Sequence, residues 1–106
     1  MLNSYRIMWL ITIFDLPTTT KQDKKNATKF RNHLLNNGFE MVQFSVYMKC
    51  CSGKEQAGSI SNRISKEVPT YGNVKILQIT DKQFSNIINL KGKKIPRINS
   101  TQLALF

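Results

Sequence analysis

Residues 7–17 read IMWLITIFDLP, and the run from Ile7 to Phe14 is rich in β-branched and aromatic side chains, the composition of a strand. Successive side chains of a strand point to opposite faces of its sheet. Here both alternate sets are apolar: Ile7, Trp9, Ile11 and Ile13 on one side, Met8, Leu10 and Phe14 on the other. Such a strand belongs in the middle of a sheet with both faces covered. The run is far shorter than the roughly 20 apolar residues a bilayer crossing takes, and Asp15 ends it. Arg6 ahead of it imitates the start of a secretory signal, but Asp15, Leu16 and Pro17 follow where a small-residue cleavage site would stand. The expected location is the cytoplasm.

Downstream, Thr20 and Asp23 have capping-box spacing and open a predicted helix that ends before Gly38, with Ala27, Phe30 and Leu34 as its buried stripe. Phe39 to Cys51 returns to a β pattern, Phe44, Val46 and Met48 alternating with Ser45, Tyr47 and Lys49, and its length predicts two strands with a tight turn near Gln43. Ser52 and Glu55 repeat the capping-box spacing ahead of a second helix in which Ala57, Ile60, Ile64 and Val68 recur until Pro69. Val74 to Thr80 reads as a strand. Asp81 is the expected N-cap of a single helical turn, and Ile87 to Leu90 reads as a short strand.

The order βαββαβ predicts an α+β chain with the ferredoxin-like split βαβ fold, an antiparallel sheet carrying both helices on one face. That arrangement leaves the other face of the central strand bare, although its side chains there are apolar. A second copy packed about a twofold axis is the economical cover, with the tail as the other candidate. The expected domain spans residues 1–90, and residues 91–106 form a basic extension that packs on or pairs with the dimer.

Sixteen Lys and Arg face six Asp and Glu among 106 residues, a formal net charge of +10. Such an excess favours a polyanionic partner. Nucleic acid fits better than a membrane surface, because no basic amphipathic helix carries an aromatic insertion face. Lys21, Lys25 and Lys29 recur every four residues along one side of the first helix, flanked by Lys24 and Arg31, and Lys91, Lys93, Lys94 and Arg97 open the tail. Recognition through backbone and shape is expected, since no RNP-like, helix-turn-helix or zinc-finger pattern is present. Cys50 and Cys51 are neighbours, too close for ordinary disulfide geometry, and read as free thiols.

Asp15 follows the central strand at its C-terminal end. As a turn residue it needs no further role; as a ligand it would hold magnesium or manganese, hard cations that accept one or two protein carboxylates and keep several waters. One chain offers no second carboxylate beside it, whereas a twofold axis would bring two copies together. His33 reads as a surface or partly packed side chain. Gly53 and Lys54 lack the upstream glycine of a phosphate loop, and Ser45 lacks the context of a nucleophile elbow.

Ile13 to Pro17, Gly38, Gln43 to Tyr47 and the segment VKILQITDKQF from Val74 to Phe84 together resemble the small dimeric CRISPR-associated adaptation endonuclease, the Cas-two family, over roughly residues 5–90. The resemblance implies a ferredoxin-like homodimer whose Asp15 residues face across the interface as the catalytic and magnesium-binding carboxylates, with Tyr47 near that site. It implies as partners the CRISPR integrase and duplex DNA held during spacer acquisition, and a metal-dependent endonuclease acting on DNA or on single-stranded RNA. Where some nuclease-active relatives carry arginines, this chain has Lys21 and Met41. A toxin ribonuclease of the virulence-associated type shares the fold and is the alternative.

Overall fold

The computed structural model describes residues 6–92. The elements follow as β1 (Met8–Asp15), α1 (Lys21–Asn36), β2 (Glu40–Gln43), β3 (Val46–Cys51), α2 (Lys54–Ser65), β4 (Asn73–Thr80) and α3 (Asp81–Ser85). The strands form one antiparallel sheet in the order β2-β3-β1-β4. That order and connectivity are the ferredoxin-like fold read from the sequence, with β1 central.

The helices share one face. Met8, Leu10, Thr12 and Phe14 of β1 are buried together with Ala27, Phe30 and Leu34 of α1 and Ala57, Ile60 and Ile64 of α2. Phe14 and Phe30 meet edge to face, 5.4 Å between ring centres. Burial of each such ring stabilises the fold by about 1.5–3 kcal/mol. Thr12 sits among these side chains fully buried, and its hydroxyl has no hydrogen-bond partner among the described residues.

The capping box of α1 forms as its spacing predicts: the Asp23 N–H donates to Thr20 Oγ1 at 2.9 Å and the Thr20 N–H to Asp23 Oδ2 at 3.2 Å. Gly38 leaves the helix at φ +88°, a conformation that favours glycine. A side chain there would also meet the Lys49 ammonium, 2.6 Å from where its Cβ would stand.

Local detail departs from the sequence reading at several places. The hairpin turn is Phe44–Ser45, one residue beyond Gln43, with an irregularity between Met41 and Gln43. The alternation of β3 itself is as read, Tyr47 and Cys51 entering the core while Val46 and Met48 lie on the other face. The Ser52–Glu55 capping box is absent: Gly53 is the N-cap without a side-chain bond, and the Ser52 N–H donates to Gln56 Oε1 at 2.7 Å. Thr80, not Asp81, caps α3, through a reciprocal box with Gln83. This frees the Asp81 carboxylate to accept from Trp9 Nε1 at 2.8 Å. Ile87 to Leu90 forms no strand in the described chain; a β-rich run becomes a strand only against a partner edge, and Ile88 and Leu90 remain exposed. Lys93, Lys94, Arg97 and the rest of the tail lie outside the described residues.

Candidate nucleic-acid and metal site

Alternation along β1 puts Trp9, Ile11, Ile13 and Asp15 on the face opposite the helices. The register adds Val46, Met48 and Cys50 from β3, and Asn73, Lys75, Leu77 and Ile79 from β4. α3 reaches the Trp9 end, where Phe84 stacks on the indole with 3.7 Å between ring centres. Toward Asp15 the face stays open: Ile13 and Leu77 are 42% and 43% exposed. An apolar sheet face of this kind is a surface made to be covered.

Asp15 ends β1 exposed, directly opposite Asn73. Two contacts fix that end of the sheet. The Phe14 N–H donates to the Ser45 carbonyl at 3.1 Å, pinning the hairpin turn. Leu16 turns into the core and packs so tightly on the α2–β4 turn that a Cβ on Gly72 would lie 2.8 Å from Leu16 Cδ2. Ser45 and Tyr71 flank this end with φ of +78° and +66°, a left-handed backbone that costs non-glycine residues of order 1 kcal/mol or more. Lys75, next along the open face from Asn73, donates to Asn73 Oδ1 at 3.3 Å. Sequence reading missed Asn73 and Lys75, because only the β1–β4 register brings them to Asp15.

The exposed Asp15 carboxylate and the facing Asn73 carboxamide are hard oxygen donors of the kind magnesium takes. Among the described residues no three His, Cys, Asp or Glu side chains gather as a ligand set.

Lys21, Lys24, Lys25 and Lys29 are all exposed on α1. Lys24, Lys25 and Lys29 line a groove of about 870 Å³ between α1 and the loop Glu67–Thr70, with Asn32, His33 and Asn36 farther along it. Arg31 is spent differently: its guanidinium lies over the Phe44 ring, 4.8 Å from the centre, tying α1 to the hairpin turn. Lys91 is exposed. His33 bridges the helix ends, Nε2 lying 3.4 Å from the Arg63 carbonyl, and needs no catalytic part. Tyr47, expected near Asp15, is buried on the helix face against Phe14, 5.5 Å between ring centres. Its pairing with Thr12 in β3 puts it there, away from the Asp15 face.

A family model described as CRISPR associated protein Cas2 matches residues 8–87, the whole described sheet and both long helices. The chain belongs to the Cas2 family. It is 43% identical to a protein of Flavobacterium psychrophilum named CRISPR-associated endoribonuclease Cas2, over 99% of this chain and 93% of the relative. It is 45% identical to one of the same name from Parvibaculum lavamentivorans, over 93% of this chain and all of the relative. The fold resembles a crystal structure of Streptococcus pyogenes Cas2, with TM-score 0.59 at 14% identity over 78% of this chain and 99% of the other. A second Cas2 crystal structure gives TM-score 0.57 at 18% identity, over 88% and 98%. Among the described residues no helix is long and apolar enough to cross a membrane.

Proposed function

We propose that the chain works in CRISPR adaptation as a homodimer, closed through its open sheet faces, that binds nucleic acid on its lysine-bearing exterior and bridges integrase subunits. The observation that carries this reading is the placement of Asp15 at the rim of an uncovered apolar face. Joining two such faces about a twofold axis hides Ile13 and Leu77 and brings the two Asp15 ends toward each other. The α1 lysines then lie on the outside of both protomers, positioned to track the phosphates of duplex DNA.

The Asp15 placement, with the relatives' names, also supports a metal-dependent endonuclease acting on RNA. A magnesium or manganese ion there would activate a water and neutralise the phosphate. Asp15 would hold it, with Asn73 beside, and the apolar face beneath would limit access of bulk solvent.

Reversal of Lys21, Lys25 and Lys29 to Glu is expected to abolish duplex retention by the complex reconstituted with integrase; unchanged retention would remove α1 from the interface. Asp15→Ala is expected to end RNA cleavage while sedimentation still reports a dimer. Full cleavage by a rigorously purified Asp15→Ala protein would reject the nuclease assignment and leave the platform reading standing.

A further inference from the structure

Charge is sparse on the open sheet face. The described strands carry one cation there, Lys75, and two carboxylates, Asp15 and Glu40. Glu40 faces Met48 from the edge strand β2, at the far side of the sheet from β4. Asp15 is nearer: it faces Asn73 while Lys75 faces Ile13, so acid and ammonium stand two positions apart on adjoining strands. The Lys75 ammonium donates to Asn73 Oδ1 at 3.3 Å, which turns it toward the Asp15 end. The other end of the face is taken by α3, where Phe84 stacks on Trp9 and the Asp81 carboxylate accepts from the indole. The surface left free is therefore the end that carries both Asp15 and Lys75.

Closing two such faces on each other brings two Asp15 carboxylates together, and like charges in a partly dry interface repel. A lysine enclosed there without an acid is equally unfavourable. A second copy of the same face answers both, because a twofold contact that sets one residue against another also sets the second against the first. We propose that in the metal-free protein Lys75 of each protomer pairs with Asp15 of the other, closing a neutral set of two carboxylates and two ammoniums within the dimer interface. This rests on the face-to-face dimer proposed above and adds what fixes its register. Apolar contact through Ile13 and Leu77 tolerates sliding, whereas two reciprocal ion pairs fit one alignment.

The test is sedimentation in EDTA of charge-reversed chains, alone and mixed. Asp15→Lys and Lys75→Asp are each expected to weaken self-association by roughly 30-fold or more, since each homodimer then opposes like charges. An equimolar mixture of the two is expected to form the heterodimer, in which every charge again meets its opposite, and the double variant Asp15→Lys/Lys75→Asp to regain the homodimer. Thermal melts check that each chain is folded. Where a reversed side chain stops folding, Asp15→Asn mixed with Lys75→Met carries the test, because that heterodimer keeps one intact ion pair. Folded single variants that stay separate on mixing would overturn the proposal, as the pairing would then lie within one chain. Undiminished self-association of Lys75→Asp would overturn it too, as would a heterodimer formed by Glu40→Lys, and not Asp15→Lys, with Lys75→Asp. Failure of the face-to-face reading shows separately: the parent sediments as single chains, or Leu77→Asp stays dimeric, and the pairing falls with it. Single chains for Leu77→Asp beside dimers for both charge variants would sink the pairing alone.

Discussion

The two faces of one sheet obey different rules in this molecule. On the helix face Leu10, Phe30, Leu34 and Ile64 are closed off within a single chain, down to 1% exposure or less. On the other face Ile13 and Leu77 are as apolar, yet more than two-fifths exposed. Ile13 and Phe14, adjacent in β1, thus lie on the open and the closed face respectively. Hydrophobicity alone does not separate them; only the side on which α1 and α2 pack does.

The strongest way to break this comparison is to injure each face in turn. Phe30→Ala removes a ring from the closed core and is expected to destabilise the chain by about 3–5 kcal/mol. Denaturant unfolding reads that loss at any protein concentration. Leu77→Asp puts a charge on the open face and is expected to convert the proposed dimer to single chains by sedimentation, with far less effect on the unfolding of dilute protein. A Leu77→Asp protein that remains dimeric would mean the open face is not the interface.

Thr12 sharpens the comparison from inside the core. It occupies a strand position flanked by Leu10 and Phe14, and its hydroxyl is buried without a partner. A buried hydroxyl left unsatisfied costs about 1–3 kcal/mol. Thr12→Val keeps the shape and removes the orphan, so the melting temperature is expected to rise; a fall would show that the hydroxyl has a partner in solution.

How much of this was legible beforehand follows the same division. The double-sided apolar pattern of β1, the Thr20–Asp23 cap and the stripes of both helices rest on local rules, and the structure obeys them. Tyr47, placed near Asp15 on the resemblance alone, lies on the opposite face because alternation along β3 pairs it with Thr12. The Ser52 cap and the Asp81 cap failed because the neighbouring glutamine and threonine competed better for the same backbone groups. Asp15 was recognisable from its place after the strand. Asn73 and Lys75 were not, because their relation to Asp15 exists only through pairing across 58 and 60 residues of chain, and periodicity within a segment carries no such information.

The cysteines give the finest probe, because adjacent thiols fall on opposite faces. Cys51 is buried under the helices, and burial pushes its pKa above the ordinary 9.0, with the nearby Lys49 charge only partly opposing the rise. Well below pH 9 both folded and unfolded chains keep this thiol protonated, so it adds no pH dependence there. As pH rises through that ordinary value the unfolded chain releases a proton that the folded chain retains, and stability falls toward the folded-state pKa. The slope from one such group is at most about 1.4 kcal/mol per pH unit, and Cys51→Ala is expected to flatten the alkaline limb relative to the parent. Cys50 is exposed on the open face opposite Trp9. In dilute single chains a thiol reagent is expected to modify Cys50 and spare Cys51. If two open faces close on each other, Cys50 modification slows as protein concentration rises through the dimer range while Cys51 stays unreactive. A Cys50 rate independent of concentration would place that end of the sheet outside the interface, confining contact to the stretch between Ile11 and Asp15.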